Sequence, residues 1–414
     1  MFKNTTDKGR LVKFQVYKPG FRLPVFPSSS LLVGTRHQFF LRQLEELSAL
    51  SPELFDALYR SFIYRFVEFV QVLPVQTNGP LGELMNEGLV RGFNSLHQLI
   101  LRHADISPLE RYAVFTAATL LNVANVVVNQ KIFVTDEEGS TTRIWQPFEG
   151  SLLEGKKADY YKIIPLSSAY QRMNVAITPL LARQLLPESG FLWIAEDLRI
   201  FADWLDALRG DAAQGGRLVH VIQWVKEHLL ETGLPLDSLP LVTVPMEESP
   251  ATAYGDSFFA WLKEGIASGE IKVNTPDAGV HVTKRGVFIE RGAAFKQYID
   301  LHVNVPVNMF SVYQQFGNLF GLAKLSGSDH RFEQLFSETP DFGSSKFKSG
   351  LSSPLSARGG QVREGIVISD PSLIFMKGET PSVTKYLKSL PSAEQPERLP
   401  NIKSLSESPE KKIK

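Results

Sequence analysis

The sequence predicts a mainly α protein with a smaller β component (α+β), arranged as two domains and a tail. Before residue 232, apolar residues recur every three or four positions over long stretches, as in amphipathic helices. Between 233 and 252, four prolines interrupt this pattern and indicate a linker. After the linker, two short runs alternate apolar and polar residues before helical spacing returns, which predicts a β-hairpin among helices.

The first predicted domain covers residues 31–232 and follows an extended arm at 1–30, where proline and serine are frequent. Ser107 and Glu110 have the spacing of a capping box, which opens a helix that we expect to continue to Val128. This helix is apolar on nearly every face and should lie at the centre of the domain. A hairpin with a turn at 136–139 should follow it. Helices are expected at about 52–73, 83–102, 108–128, 176–187, 192–208 and 217–231.

The second predicted domain covers residues 253–376. A short amphipathic helix ending at Gly269 precedes two β runs around a Lys-Arg-Gly turn, and two further helices follow. This order is typical of a winged-helix-like fold. Residues 365–375 should add a closing strand, whereas 377–414, rich in Ser, Pro, Lys and Glu, have too few apolar residues to fold and should be disordered.

Composition excludes several classes of function. Lys and Arg total 44, as do Asp and Glu, so net charge predicts neither a nucleic-acid nor a membrane partner, and a basic surface would have to be local. The chain has no cysteine, which removes thiolate zinc sites and a cysteine nucleophile. We see no signal peptide, no membrane-spanning run and no P-loop, Rossmann or nucleophile-elbow motif. We therefore expect a cytoplasmic protein without membrane insertion.

The histidine pattern does not support a metal-dependent hydrolase. Such an enzyme needs several convergent His and Asp ligands to activate water. None of the eight histidines is followed by Asp, and no two are separated by two, three or four residues, the spacings that bring ligands to one metal ion. The histidines are at positions 37, 97, 103, 220, 228, 281, 302 and 330.

Several segments nevertheless resemble the TraI-like, MobH-type relaxases of integrating conjugative elements and some conjugative plasmids. In the first half the resemblance is carried by Pro19–Phe21, FVEFVQVLPVQ at 66–76, AVFTAATLLNVANV at 113–126 and the Trp-x-Pro-x-x-Gly-Ser-Leu element at 145–152. In the second half it is carried by 258–289 and by EGIVISDPSLIF at 364–375. The resemblance implies an HD-like helical domain, a divalent metal, and DNA nicking in conjugation.

The same resemblance implies that the metal ligands have been lost. The loop VQTNGPLG at 75–82 has no histidine, and Glu87 (or Asn86, depending on alignment) stands where the family has one in the next helix. Asn122 and Val123 replace the His-Asp pair, and Asn174 stands at a further histidine position. We therefore expect a catalytically degenerate scaffold without a cofactor. The alternative is that Asn122 and Asn125, which lie in the apolar helix, are buried amides paired with nearby backbone, and that Asn86 and Glu87 are solvent-facing.

Three hypotheses about function follow. A DNA-binding accessory factor would use basic residues of the second domain, with a Lys-Arg pair on the predicted hairpin turn contacting phosphates. An adaptor would use the helical domain to dock proteins of a conjugation or type IV secretion apparatus. An active nicking enzyme would need metal ligands from elsewhere in the chain. The candidate DNA-binding residues are Lys272, Lys284, Arg285, Arg291 and Lys296, although Asp277, Glu290 and Asp300 dilute their charge.

Overall fold

The computed structural model confirms an α+β protein with two small antiparallel sheets. The structure describes residues 15–76, 78–155, 157–211, 215–228, 244–302, 307–322, 331–337, 361–376 and 380–389. Helices in the first half are α1 (Ser28–Leu31), α2 (Thr35–Ser48), α3 (Pro52–Phe55), α4 (Ser61–Val70), α5 (Glu83–Arg102), α6 (Pro108–Leu120), α7 (Asn125–Val128), α8 (Asn174–Leu185), α9 (Glu188–Glu196), α10 (Leu198–Arg209) and α11 (Arg217–Glu227). A π-helical turn at Asp56–Arg60 joins α3 to α4, so the predicted helix from Pro52 is continuous.

Helices α5 and α6 form the centre of the first half, as the apolar pattern predicts. Two glycines of α5 permit their close approach. A Cβ on Gly92 would lie 2.2 Å from Thr119 Oγ1, and one on Gly88 would lie 2.9 Å from the Thr119 carbonyl oxygen. Ser107 and Glu110 form the predicted capping box. Among the described residues, the stretch 108–128 is apolar and long enough to cross a membrane, but 78% of its most apolar window is buried inside the protein.

Two helices expected as single units are divided. The helix from Pro108 ends at Leu120, where the backbone changes to i→i+3 hydrogen bonds such as Val123 N to the Leu120 carbonyl oxygen, before the short α7 begins. The helix expected at 192–208 is interrupted at Asp197, whose extended backbone ends α9 and whose carboxylate accepts hydrogen bonds from the first amides of α10.

The first sheet has the strand order β3-β2-β4-β1-β5 and is antiparallel throughout. Its strands are β1 (Phe21–Pro24), β2 (Gln130–Thr135), β3 (Thr141–Ile144), β4 (Tyr160–Pro165) and β5 (Glu247–Glu248). The predicted hairpin is confirmed as β2–β3, with Gly139 in the left-handed region at its turn. Strand β1 comes from the predicted arm and β5 from the predicted linker, so both segments contribute to this sheet.

The second half contains a five-stranded antiparallel sheet in the order β10-β8-β9-β7-β6. Its strands are β6 (Val280–Thr283), β7 (Gly286–Glu290), β8 (Arg331–Ser337), β9 (Gln361–Ile368) and β10 (Leu387–Ser389), and its helices are α12 (Ala253–Ser268), α13 (Lys296–Leu301) and α14 (Met309–Leu319). The helix–hairpin–helix order expected from the sequence is therefore present, within a larger sheet. Strand β10 extends the fold beyond residue 376, where we expected the tail to begin; residues 377–379 and 390–414 lie outside the described part.

The two halves share an apolar junction. Phe133 and Ile164 of the first sheet belong to the same buried cluster as the α12 and α14 side chains, and the Phe133 ring lies 5.9 Å from that of Phe320. At the edge of this cluster, Lys162 on β4 forms a buried ion pair with Asp256 on α12, with Nζ and Oδ2 2.9 Å apart. The helical half is thus fixed against the second sheet and its helices.

Candidate functional site

A polar cleft of about 790 Å³ lies where α5 begins, beside the turn between α6 and α7 and the start of α8. It brings together three of the four predicted degenerate metal-site positions: Glu87, Asn122 and Asn174. Val123, the fourth, is fully buried in the apolar core instead. The cleft is lined by Val75, Gln76, Asn78, Glu83, Glu87, Asn122, Asn125, Asn129, Leu166, Ser168, Gln171 and Asn174.

Glu87 is held in place by two neighbours. Its Oε1 accepts a hydrogen bond from Arg91 Nη1 at 2.7 Å and one from Asn122 Nδ2 at 3.3 Å. The Arg91 side chain is 2% exposed, and its Nε donates to the Ala118 carbonyl oxygen. Burial lowers the pKa of Arg91, and the adjacent Glu87 carboxylate opposes that shift. Glu87 is therefore anchored at the wall of the cleft with its side chain 23% exposed, whereas Asn86 is buried at 2% exposed, so the solvent-facing alternative is wrong for Asn86.

The asparagines of the cleft point their amide nitrogens toward the protein. Asn125 and Asn129 both donate to the Val75 carbonyl oxygen, at 3.1 and 3.0 Å. Asn174 Nδ2 lies 3.5 Å from Asn125 Oδ1, at the limit of a hydrogen bond. The alternative of amides paired with backbone is thus confirmed for Asn125, whereas Asn122 pairs with a side chain. Asn129 Oδ1 and Asn174 Oδ1 are buried without a hydrogen-bond partner.

Glu83, one turn before Glu87, is a cleft residue that our sequence analysis missed. Its Oε2 accepts a hydrogen bond from the Val75 backbone amide at 3.1 Å. Burial raises the pKa of Glu83, the Val75 hydrogen bond opposes the shift, and the Glu87 charge adds to it. The spacing of four residues between the two carboxylates, and the positions 122, 125 and 129 of the three asparagines, are helical spacings that could have indicated a shared face.

The side chains present do not fit the metal centre that the family resemblance implies. Transition metals of hydrolase sites favour imidazole, whereas carboxylate and amide oxygens suit Mg²⁺ and Ca²⁺. None of the described residues lining the cleft is a histidine. Within the described residues, no group of three or more His, Cys, Asp and Glu side chains could hold a metal ion.

Three of the candidate DNA-binding residues lie at opposite ends of β6. Lys284 and Arg285 are exposed at the tip of the β6–β7 hairpin, on the edge strand of the second sheet, where Thr283 Oγ1 accepts a hydrogen bond from the Arg285 amide. Lys272 lies at the other end of β6, next to the bridge between Val273 and Val280. The two ends of β6 are about 10 Å apart, at roughly 3.3 Å per residue.

The other two candidates differ in how available they are. The charge of Arg291 is already engaged by neighbouring side chains. Arg291 forms an ion pair with Glu364 at 3.4 Å, and its guanidinium lies 5.5 Å from the rings of Phe310 and Tyr313. Lys296 is exposed at the start of α13. The hairpin tip is therefore where two candidate cations are adjacent and exposed.

Comparison with known proteins places the second half in a family context. Residues 253–390 match the family model described as "Putative conjugal transfer nickase/helicase TraI C-term". This match supports a TraI-like protein related to conjugative DNA transfer and confirms that part of the resemblance seen in the sequence. The resemblance of the first half to HD-type relaxases stays a prediction.

A solved structure is also similar to part of this chain. The C-terminal domain of Salmonella enterica protein STY4665 shares 28% identity over 33% of this chain and 97% of that chain, with a TM-score of 0.25. No curated protein shows significant similarity to the chain.

Proposed function

We propose that this protein is a catalytically degenerate, relaxase-like accessory factor of conjugative DNA transfer that binds DNA in the cytoplasm. In this proposal an HD-like helical half supplies the scaffold and a winged-helix-like second half contacts DNA. The observation that carries the proposal is the exposed Lys284-Arg285 pair at a hairpin tip inside the segment that matches the TraI C-terminal family.

Loss of catalysis is supported by the donor set of the cleft. Asn122 and Asn174, two of the positions where the resemblance implies metal ligands, carry amides, and Glu87 is already engaged by Arg91. Neutral amides are weak ligands for the metals of HD hydrolases and activate no water by themselves. We expect no nicking of supercoiled or single-stranded DNA when Mn²⁺, Mg²⁺, Fe²⁺ or Zn²⁺ is added.

DNA binding is supported by the geometry of the hairpin. Lys284 and Arg285 are both exposed in the two-residue tip that joins the edge strand β6 to β7, so both lie on a surface that DNA phosphates can approach. Arg and Lys contacts to phosphates supply most sequence-independent affinity, and each one releases counterions. The tip would act as a clamp that sets position, while sequence would have to be recognised by other residues.

The test is charge reversal of the tip in the full chain. The double variant Lys284→Glu/Arg285→Glu should bind labelled duplex DNA at least about tenfold more weakly at low salt, and the slope of log K against log salt should fall by roughly two. Arg209→Glu/Lys226→Glu reverses two exposed cations on α10 and α11 and is the matched control. The proposal fails if both variants, or neither, lose affinity.

An adaptor function has one specific observation in its favour. The segment from residue 170 to 180, which begins beside the cleft, exposes several large apolar side chains, as a docking surface for a protein partner would. Val175 and Leu180 are 53% and 60% exposed. An adaptor for conjugation or type IV secretion proteins would lose its partner in Val175→Asp/Leu180→Asp and keep it in Lys284→Glu/Arg285→Glu. If the protein instead binds DNA, Lys284→Glu/Arg285→Glu should lose affinity for DNA and Val175→Asp/Leu180→Asp should keep it.

A further inference from the structure

A small pocket of about 210 Å³ lies beside the start of β6, between the loop that follows α12 and the start of α13. Ile271 holds the loop against α12: its side chain covers Gly265, and its amide donates to the Gly265 carbonyl oxygen at 2.9 Å. At the other end of the loop, a Cβ on Gly279 would lie 2.6 Å from the Ala294 nitrogen. The pocket is therefore held by close contacts on two sides.

The lining of this pocket combines buried apolar side chains with an exposed polar rim. The apolar residues, each at most 6% exposed, are Ile271, Ala278, Val280 and Ala294. The exposed rim residues are Glu270, Lys272, Asp277 and Gln297. Sites for small planar groups share this pattern, in which apolar surface supplies contact area and a few polar groups fix the orientation of the ligand.

The two carboxylates of the rim are unexpected beside cations that contact DNA, because carboxylates repel phosphates. Neither Glu270 nor Asp277 forms an ion pair or a side-chain hydrogen bond with another described residue. Glu290, by contrast, is engaged by Arg363 at 3.0 Å. A carboxylate only accepts hydrogen bonds, and on DNA its partners are the amino groups of bases, such as N4 of cytosine. The rim is thus suited to a base and not to a phosphate.

The position and size of the pocket fit one base of a strand that is held by the hairpin tip. The pocket begins at Val280 and the tip follows Thr283, so they lie at opposite ends of β6, about 10 Å apart. Lys272 supplies a cation at the pocket end. A cavity of about 150 Å³ holds a benzene ring, so this pocket has room for a single base.

We propose that this pocket binds one unstacked DNA base that carries an exocyclic amino group. Glu270 and Asp277 accept the amino hydrogens, and Lys272 contacts the adjoining phosphate. This inference rests on the proposed DNA binding and deepens it, because phosphate contacts at the hairpin tip carry no sequence information. The edge of a base that bears the amino group is free only when the base is unpaired, so the recognised DNA is single-stranded at this point.

Cytosine and thymine provide a size-matched comparison, since cytosine has an amino group where thymine has a carbonyl oxygen. The test variant is Glu270→Gln/Asp277→Asn, which keeps the size of both side chains. Its amides can donate to the thymine oxygen as readily as they accept from the cytosine amino group. Glu264→Gln/Asp300→Asn removes the same charge at exposed positions of α12 and α13 outside the pocket, and is the matched control.

The measurement is fluorescence anisotropy of the full chain with labelled cytosine and thymine oligonucleotides of equal length. Wild type and the control should bind the cytosine oligonucleotide roughly tenfold or more tightly, and Glu270→Gln/Asp277→Asn should bind both equally. Equal binding by wild type, or a preference that survives in the pocket variant, would overturn the base pocket and leave DNA binding by the hairpin tip standing. Absence of binding to either oligonucleotide and to duplex DNA would overturn both proposals.

Discussion

The buried ion pair between Lys162 and Asp256 offers the sharpest test of how the two halves are held together. The Lys162 side chain is fully buried and that of Asp256 is 8% exposed. Asp256 Oδ2 also accepts a hydrogen bond from Thr252 Oγ1 at 2.7 Å. Burial lowers the pKa of Lys162, and the Asp256 charge opposes the shift. The perturbation we consider is Lys162→Met, which keeps the length of the side chain and removes its charge.

The expected loss of stability follows from the buried Asp256 carboxylate, which the substitution deprives of its ion-pair partner. Lys162→Met leaves the Asp256 carboxylate buried with Thr252 as its hydrogen-bond donor, and breaking a buried pair in this way typically costs about 3–5 kcal/mol of the free energy of unfolding. The double variant Lys162→Met/Asp256→Asn buries no charge and keeps an acceptor for Thr252. It should be more stable than Lys162→Met alone, by roughly 1–3 kcal/mol.

The assay is urea unfolding followed by circular dichroism and tryptophan fluorescence, with the slope against urea compared between variants to confirm the same unfolding transition. Arg199→Met is the control: its side chain is 90% exposed in a surface pair with Asp197, and its loss should leave stability nearly unchanged. A Lys162→Met protein as stable as the control, or a further loss of stability when Asp256→Asn is added to it, would contradict a stabilising role for this ion pair.

Three further predictions concern the core, a helix end and pH. Gly92→Ala should lower the free energy of unfolding by about 1–3 kcal/mol, because the new Cβ would overlap Thr119 across the α5–α6 contact. Calorimetry would measure the melting temperature, and an unchanged value would show that the two helices can move apart at little cost. Ser107→Ala removes the side-chain acceptor at the start of α6 and should lower the free energy of unfolding, measured in urea, by about 1 kcal/mol. No change would mean that the first turn of α6 is frayed and the cap contributes nothing. His281 is fully buried with Nε2 against the Ala278 carbonyl oxygen, and burial lowers its pKa from 6.5 to about 4. The unfolded chain therefore takes up a proton on this histidine at a higher pH than the folded protein does. The free energy of unfolding should fall by on the order of 3 kcal/mol as pH falls from about 6.5 to 4. His281→Gln should reduce this dependence on pH, whereas His220→Gln, at an exposed position, should not.

The sequence predicted those elements whose signal is local. The capping box at Ser107, the apolar periodicity of α5 and α6, and the alternation around the β6–β7 turn each depend on residues a few positions apart, and each was confirmed. Strands β1 and β5 were not predicted, because Arg22 pairs with Glu247, 225 residues away, and short segments of four and two residues carry no periodicity of their own.

The cleft was predicted only in part, because contacts between residues far apart in the chain leave no local pattern in the sequence. Positions 87, 122 and 174 were expected together only through the family resemblance, and the structure does bring them together. Val123 could not share the cleft with Asn122, since neighbouring residues on a helical turn point about 100° apart and its apolar side chain faces the core. Glu83 and Asn129 were missed because their orientation depends on Val75, which belongs to a loop between helices.

Binding of the purified full chain to labelled duplex and single-stranded DNA across a salt series would decide whether this protein acts on DNA. A DNA-binding accessory factor should bind saturably, with an affinity that falls linearly on a log–log plot as salt rises and a slope set by the number of phosphates contacted. Absence of binding even at low salt would contradict a DNA-binding accessory function and favour the adaptor alternative.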